Sequence, residues 1–346
     1  MTTKMSADGI QLPNLSSAPA SPVVGQVYYD TVKKSMRQWN GTYWNQVAIG
    51  DTGFKYRQII TTGYVMGGYQ SNSPWKNVNR MVHSTDVMTN LGDLLSYSAS
   101  YSQGAPSLTT GWMFSAANAH SVVTTQVCGF YMATETNRAA SSTNFMAASR
   151  NDAGVAFKEH QYVHICSDGT TDKFNYTTET SALSGLSILA NGTGGGVAAI
   201  CDENYAMLYG DNTGQTLAFA TDTTSTDRIM AGPAGGNNAQ QKPMNSKNRK
   251  GYAGNEGTYN GGYNFRVWDM NTGAQDRTVA KVIGNTGEEN FDMGQDQQYC
   301  LGNYDGAQNN RGHKFFYATD VGYELGSGSV RTGVPGGSSA GTCWKG

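Results

Sequence analysis

The sequence predicts an all-β protein in two parts, a short N-terminal β-meander followed by a larger unit of repeated strands. Glycine accounts for 44 of 346 residues, roughly twice its average frequency, which is typical of chains with many tight turns. Only 14% of residues are charged, whereas 11% are aromatic. A short turn motif ending in an acidic residue also recurs along the chain at nearly constant spacing.

The same composition excludes several protein classes. A net charge of −2 gives no basic field for nucleic acid. The aromatic content argues against a disordered chain, and the lack of a Gly-X-Y period excludes collagen. No stretch is long and apolar enough to insert into a membrane or to act as a signal peptide, so we expect synthesis in the cytoplasm. The five cysteines are isolated in sequence, which favours small buried side chains over a zinc site or a disulfide framework.

Residues 1–52 predict a three-stranded meander. Strand-like runs cover 25–30, 35–39 and 42–47, and Asn40-Gly41 between the last two is a strong hairpin signal. A unit of this size buries little surface of its own. We therefore expect it to contact copies of itself or another protein through its aromatic side chains, with the anchoring role assigned to Tyr28, Tyr29, Trp39 and Trp44.

This segment resembles a small module near the N-terminus of many bacteriophage tail-fibre and other virion proteins. The resemblance is carried by SSAPASPVVGQVYYDTVKKSMRQWNGTYWNQV, with its Pro-rich lead, Gly-Gln-hydrophobic-Tyr-Tyr-Asp run and Trp-Asn-Gly-x-x-Trp hairpin. It implies a virion appendage, often oligomeric, that is attached through its N-terminal region. An ordinary β-meander packed on the neighbouring domain is the structural alternative.

Residues 53–346 contain an internal repeat. Its acidic turn motif occurs as HSTD (83–86), MATE (132–135), YTTE (176–179), FATD (219–222), YATD (317–320) and a degenerate VWD (267–269). Successive acidic residues are 43 to 51 residues apart. A second motif, an apolar strand that breaks at a glycine or turn, precedes each acidic motif.

Six repeats of about 47 residues, each with several strands, predict a six-bladed β-propeller over 53–346. The repeat resembles the kelch repeat, because GYVMGG (63–68) matches its strand and glycine pair. The other copies lack that glycine pair, and no tryptophan recurs at a regular position. A β-sandwich or a β-solenoid fibre is the alternative fold.

The repeated acids suggest either a catalytic or metal-binding ring or a structural turn. One residue type at the same place in every repeat favours the structural role, and we expect the side chain to hydrogen-bond its own turn. His160 and His164 have metal-ligand spacing only on a helix, and their segment predicts a strand. The sequence therefore predicts no catalytic residue, no metal and no cofactor.

Two segments, 69–79 and 303–313, mix aromatic and amide side chains in a way that suits sugar or protein recognition. The candidate binding residues are Tyr69, Trp75, Tyr304, Asp305 and Arg311. They come from the first and last repeats, which meet if a ring closes. The cationic segment 231–262 is predicted to be either a contact loop or a solvated loop.

Together these features predict a non-enzymatic virion protein from a tail fibre, a baseplate or a head appendage. Its expected partners are other virion proteins, further copies of itself and a host-surface glycan. A surface-polysaccharide depolymerase on a propeller scaffold is the alternative function, since two suitably placed carboxylates suffice for glycoside hydrolysis.

Overall fold

The computed structural model divides the chain into two compact units, Met1–Thr52 and Gly53–Gly346. The described residues are 4–6, 9–31, 35–42, 44–46, 62–67, 69–70, 73–98, 103–107, 109–114, 117–119, 122–123, 125–139, 154–158, 161–167, 170–186, 198–201, 205–209, 214–225, 244–245, 250–254, 264–269, 272, 274–280, 290–293, 297–304, 308–317, 319–325 and 341–345. All regular elements within them are β-strands, so the predicted all-β class is confirmed.

The N-terminal unit contains a two-stranded and a four-stranded sheet. Its strands are β1 (Lys4–Ser6), β2 (Gly9–Gln11), β3 (Asn14–Leu15), β4 (Val27–Asp30), β5 (Ser35–Trp39) and β6 (Trp44–Gln46). Strands β4, β5 and β6 pair antiparallel in sequence order, as the predicted meander requires. In addition, β3 pairs parallel with β4. The hairpin at Gly41 has a four-residue connection, and Gly41 has a φ of 103°, which favours glycine.

Within the residues that the structure describes, the second unit contains six four-stranded sheets, numbered in chain order. Sheet 1 consists of β7 (Thr62–Met66), β10 (Asn77–Val82), β11 (Val87–Asp93) and the C-terminal β34 (Gly341–Lys345). Sheet 2 consists of β12 (Gln103–Pro106), β13 (Thr110–Phe114), β16 (Cys128–Tyr131) and β17 (Thr136–Asn137). Sheet 3 consists of β18 (Gly154–Lys158), β19 (Tyr162–Ser167), β20 (Thr170–Asn175) and β21 (Thr180–Leu183).

The remaining sheets repeat this pattern. Sheet 4 consists of β22 (Ala198–Cys201), β23 (Tyr205–Tyr209), β24 (Gly214–Ala218) and β25 (Thr223–Ser225). Sheet 5 consists of β26 (Met244–Asn245), β27 (Lys250–Gly254), β28 (Asn264–Asp269) and β29 (Gln275–Ala280). Sheet 6 consists of β30 (Asn290–Met293), β31 (Gln297–Tyr304), β32 (Gln308–Phe316) and β33 (Val321–Leu325). Two small hairpins interrupt sheets 1 and 2, namely β8 (Tyr69–Gln70) with β9 (Ser73–Pro74) and β14 (Ala117–Ala119) with β15 (Val122–Val123).

Sheet 1 joins the two ends of the second unit. Its first strand is β34, from the C-terminus of the chain, which pairs antiparallel with β7. The first strands of consecutive sheets also contact one another, from β34 through β12, β18, β22, β26 and β30 and back to β34. The non-local pairing of β34 was not predicted, because GTCWK (341–345) has no local feature that selects a partner strand 270 or more residues away.

In sheets 1 and 2 the second strands β7 and β13 are more buried than the fourth strands β11 and β17. Strand β13 is buried at all five residues, whereas the fourth strand β21 is mostly exposed. Large buried side chains such as Trp112, Tyr64 and Phe174 lie on second and third strands, where neighbouring sheets pack on both faces. This position explains why the second and third strands carry the recognisable sequence motifs and the fourth strands do not.

Candidate functional site

Five sheets of the second unit share one turn, which connects the third strand to the fourth and ends on an acidic residue. In sheet 1 it lies between the paired residues Val82 and Val87. The amide of Asp86 donates to the carbonyl of Val82 at 2.9 Å. The terminal acids have φ angles of 50–56°: Asp86, Glu135, Glu179, Asp222 and Asp320. Few non-glycine residues adopt this left-handed conformation, and Asp is among those that adopt it most readily.

The carboxylate of each of these turns binds a cation from the preceding sheet. The five inter-sheet pairs are Glu135 with Arg80, Glu179 with Arg138, Asp222 with Lys173, Asp320 with Arg277, and Asp86 with Lys314. From the sequence, the carboxylate was expected to hydrogen-bond its own turn. In the structure the backbone conformation forms the turn, and the carboxylate forms an ion pair with the neighbouring sheet.

In sheets 1, 3 and 6 the cation lies on the third strand, in the same cross-strand row. Arg80 lies opposite Tyr64, Lys173 opposite His164, and Lys314 opposite Tyr299. Residues directly opposite each other on paired strands project from the same face. Each of these cations also lies six residues before the acid of its own sheet, a spacing that could have identified them from sequence but was missed.

Tyrosine hydroxyls in this row complete two of the inter-sheet contacts. The Tyr64 hydroxyl donates to Glu135 Oε1 at 2.9 Å, and the Tyr252 hydroxyl donates to Asp320 Oδ1 at 3.0 Å. Burial, followed by the charge of Asp320, raises the pKa of Tyr252. Its hydroxyl therefore stays protonated and acts as a hydrogen-bond donor to the acid.

In sheet 2 the cation that binds the acid of the next sheet comes from a different position. A Cβ at Gly129, which occupies the cation position, would lie 2.7 Å from the carbonyl oxygen of Gly111. No side chain fits there, so the cation comes from Arg138, which directly follows the fourth strand β17. The Arg138 guanidinium lies 4.5 Å from the ring centroid of Trp112 and also binds Glu179.

His164 takes the tyrosine position in sheet 3. Its Nε2 lies 3.1 Å from Asp222 Oδ1, and Lys173 binds the other carboxylate oxygen. Burial lowers the pKa of His164 to about 4, although Asp222 acts in the opposite direction. Burial alone would raise the pKa of Asp222, but Lys173 and His164 outweigh it and lower that pKa. The neutral imidazole thus donates to an ionised carboxylate that Lys173 also neutralises.

Sheet 5, which carries the degenerate sixth copy of the motif, departs from the pattern. Its third strand ends at Asp269, whose amide donates to the carbonyl of Ala274 at 2.9 Å, so Asp269 precedes the connection to the fourth strand instead of ending it. The Asp269 carboxylate binds Lys250 Nζ at 2.9 Å. Lys250 belongs to β27 of the same sheet, so this pair connects no two sheets.

These contacts define what the repeated acids can do. Each of the five turn acids has its carboxylate in an ion pair with a neighbouring sheet. This use supports the structural interpretation of the repeat over a catalytic ring. In the part of the chain that the structure describes, no group of three or more His, Cys, Asp or Glu residues is arranged to hold a metal ion. His160 lies outside the described residues, so the expectation that His160 and His164 do not bind one metal ion stays a prediction.

The candidate binding residues lie at the opposite end of the sheets from the acidic turns. Segments 69–79 and 303–313 each include residues of the connection between a second and a third strand, in sheets 1 and 6, and extend into flanking strands. Tyr69 begins β8, Tyr304 ends β31 and Arg311 lies within β32, while Asp305 is outside the described residues. Trp75 is partly buried. Sheets 1 and 6 are neighbours, because Lys314 binds Asp86 at 2.8 Å.

The length of this second-to-third-strand connection differs strongly among the sheets. It covers 67–76 in sheet 1 and 115–127 in sheet 2, and each connection contains a hairpin. In sheet 3 it is 168–169 and in sheet 4 it is 210–213. Strand β9 contacts β14, so the hairpins of sheets 1 and 2 pack together. The hairpin in 115–127 was not predicted, because its small apolar and polar residues resemble those of any other loop.

The predicted anchoring residues cluster within the N-terminal unit. Tyr28 is 3% exposed and contacts Trp44 edge-on, with ring centroids 4.8 Å apart. Trp39 lies 5.5 Å from Trp44, and Tyr29 is partly buried, as are both tryptophans. Burial raises the pKa of Tyr28, with Asp30 adding to the effect. The most exposed apolar side chains of this unit are the adjacent Val23 and Val24, at 68% and 76%.

The cationic segment 231–262 is only partly described. Its residues 244–245 and 250–254 form strands of sheet 5, and 231–243 lie outside the described residues. Lys250 was predicted to belong to a loop, but it is a strand residue that binds Asp269 and Asp276. This assignment removes Lys250 from the charges that a loop could offer to a partner.

A scan against protein-family models found no matching family. A search of curated proteins also found no match. Within the described residues, no helix has the length and apolar character needed to cross a membrane.

Proposed function

We propose that residues 53–346 form a six-bladed, kelch-like β-propeller in which each four-stranded sheet is one blade. Three observations support this architecture. The sheets follow one another in chain order, and their first strands contact successively from β34 back to β34. The C-terminal β34 completes the sheet begun by β7, as expected for a ring closed by its chain ends. Acid–cation pairs connect sheets 1 to 4 consecutively and also connect sheets 5, 6 and 1.

We further propose that the protein is a structural component of a bacteriophage virion. In this proposal residues 1–52 attach it to other virion proteins and bring copies of it together, and the propeller is displayed for binding. The observation that supports this proposal is that the repeated acids form ion pairs between neighbouring sheets. Acids used in this way stabilise the large unit, which favours a structural scaffold. The hairpin-bearing loop end of sheets 6, 1 and 2 supplies the binding face. Segments 69–79 and 303–313 of this face combine aromatic and amide side chains, which suits a host-surface glycan or a virion protein.

The anchoring role is tested by particle assembly in a phage that encodes the protein. Deletion of residues 1–52 is expected to leave the β circular dichroism spectrum and cooperative unfolding of the large unit intact, and to abolish incorporation into particles. The full-length Leu183→Ser variant is the matched control, because Leu183 is 60% exposed on an outer strand of the large unit. Normal incorporation of the truncated chain would refute the assignment.

The binding role is tested on host cells with the purified full-length protein. Combined replacement of Tyr69, Trp75 and Tyr304 by alanine should abolish adsorption, whereas Leu183→Ser should not change it. Unchanged adsorption of the triple variant would refute the proposed face. Release of reducing sugar from host polysaccharide by the wild-type protein would instead favour the depolymerase alternative.

A further inference from the structure

Asn40 and Gly41 lie in the connection between β5 and β6 of the N-terminal unit, and both residues are exposed to solvent. Gly41 has a φ of 103°, in the region that favours glycine. A Cβ at this position would also lie 3.3 Å from Cγ2 of Val24. The hairpin therefore favours a glycine directly after Asn40, and no side chain shields the main-chain nitrogen of that glycine.

A hydrogen bond holds the side chain of Asn40 against this stretch of main chain. The amide of Thr42 donates to Asn40 Oδ1 at 2.9 Å. The ring that this bond closes contains both Asn40 Cγ and the Gly41 nitrogen, so the bond keeps the side-chain carbonyl near that nitrogen. A donor at this distance also stabilises negative charge that develops on the carbonyl oxygen. The geometry thus favours attack of the Gly41 nitrogen on Asn40 Cγ.

The same side-chain arrangement occurs at Asn90 and Asn175, which are also exposed. In each of them the amide two residues further along donates to Oδ1 at 2.8 Å. These asparagines are followed by Leu91 and Tyr176, whose side chains hinder the approach to the main-chain nitrogen. The exposure and the hydrogen bond are therefore shared, and the following glycine distinguishes Asn40.

We propose that Asn40 is a site of spontaneous modification, at which the Gly41 nitrogen displaces the side-chain amide and water then leaves an aspartate or an isoaspartate. Hydroxide first removes the proton of the Gly41 nitrogen, which forms a bond to Asn40 Cγ. The Cγ–Nδ2 bond then breaks, and Nδ2 takes a proton from water and leaves as ammonia, which regenerates the hydroxide. The product of this step is a cyclic imide.

Water opens the imide at either of its carbonyl carbons. Its hydroxyl adds to that carbon, and its other hydrogen goes to the Gly41 nitrogen. Opening at Cγ restores the ordinary main chain, whereas opening at the main-chain carbonyl carbon leaves a chain that runs through the former side chain and is longer by a methylene group. Both products carry a new carboxylate, so the modification adds a negative charge to the hairpin.

The modified residue directly follows one member of the aromatic pair that closes this hairpin. Trp39 and Trp44 are paired across β5 and β6, and their ring centroids lie 5.5 Å apart. The amide of Trp39 also donates to the carbonyl of Gln26 at 2.9 Å. A longer main chain immediately after Trp39 changes the connection that sets this pairing. Isoaspartate formation is therefore expected to loosen the contact between the two tryptophans.

The test is incubation of the purified full-length protein under native conditions at pH 6 and pH 8. Peptide mass spectrometry follows the amide at each asparagine, and an isoaspartate methyltransferase assay detects the longer product. Asn40 should lose its amide at least about tenfold faster than Asn90 or Asn175, and faster at pH 8 because hydroxide drives the first step. Equal rates at the three asparagines, or an Asn40 that stays intact, would overturn the inference.

Asn40→Gln is the matched control for the covalent step. Glutamine keeps the side-chain amide but places its carbonyl carbon one bond further from the Gly41 nitrogen. Loss of the amide at position 40 should therefore cease, and the isoaspartate signal of the protein should fall accordingly. An undiminished isoaspartate signal in this variant would show that the modification occurs elsewhere in the chain and would refute the assignment to Asn40.

Substitutions at Thr42 test the hydrogen bond. Thr42→Pro removes the N–H group and should slow the loss of the Asn40 amide about fivefold, which is the rate equivalent of one ordinary hydrogen bond. Thr42→Ala keeps the N–H group and should leave the rate unchanged. An unchanged rate in Thr42→Pro would overturn the role assigned to the Thr42 amide. Near-ultraviolet circular dichroism identifies a disrupted hairpin, in which case the wild-type comparison of Asn40 with Asn90 and Asn175 decides.

The modification and the proposed function can fail separately. The loss of the amide is measured on the purified protein and depends only on the hairpin between β5 and β6. Incorporation into particles tests the attachment role of residues 1–52 and does not depend on the chemistry of Asn40. An intact Asn40 would refute only the modification, whereas normal incorporation of the truncated chain would refute only the attachment role.

Discussion

His164 makes stability depend on pH in a range where few other groups titrate. Its ring is fully buried, donates to Asp222 at 3.1 Å and has a pKa lowered from 6.5 to about 4. Between these two values the unfolded chain binds a proton that the folded chain does not. Stability from the neutral imidazole is therefore complete above pH 6.5 and is lost as the pH falls toward 4. Asp222 contributes with the same sign but at lower pH, because its pKa is already below 3.8 in the folded protein.

The magnitude follows from the size of the shift. One pH unit inside this window changes the free energy of unfolding by about 1.4 kcal/mol. Acidification from pH 7.5 to 5 should thus remove about 2 kcal/mol from the large unit. Urea unfolding followed by tryptophan fluorescence at half-unit pH steps measures this change. The window ends at pH 5 because ordinary carboxylates begin to titrate below it.

The matched control is His164→Tyr. Tyrosine occupies the same cross-strand row in sheets 1 and 5, where Tyr64 and Tyr252 donate to the acid of the next sheet. The variant should keep that hydrogen bond and lose the titration, so its stability should change little between pH 7.5 and 5. Equal pH slopes for the variant and the wild type, or a flat wild-type profile, would refute the assigned role of His164.

Three further substitutions or modifications test the packing of the sheets. Glu135→Gln removes the charge that binds Arg80 and should lower the free energy of unfolding by about 1 kcal/mol, since both side chains are partly exposed; no change in the urea midpoint would contradict this. Gly129→Ala would place a methyl group 2.7 Å from a backbone oxygen and should cost about 2 kcal/mol in the same assay; a wild-type midpoint would show that the sheet relaxes. The Cys128 thiol, whose pKa burial raises to about 12, should resist iodoacetamide at pH 8 in the folded protein and react after unfolding; rapid labelling without denaturant would contradict its burial.

Much of the second and third strands could be predicted because their motifs are local. The turn in YATD (317–320) depends on one residue that tolerates a left-handed φ, and this requirement is visible in the chain at every copy except that of sheet 5. The fourth strands were not predicted individually, since residues such as those of β21 are mostly exposed and carry no apolar pattern. The predicted binding residues Tyr69 and Tyr304 were correctly expected in the first and last repeats. Their role in binding remains a proposal.

The sequence by itself determined the β class, the near-regular period and the turn chemistry, because each depends on residues a few positions apart. Only the tertiary structure decided which sheet the C-terminal β34 would join and which cation each acid would bind. Glu135 and Arg80 are 55 residues apart, and Asp86 and Lys314 are 228 residues apart. Such pairings are chosen by which faces the folded sheets bring together, and no local spacing encodes them.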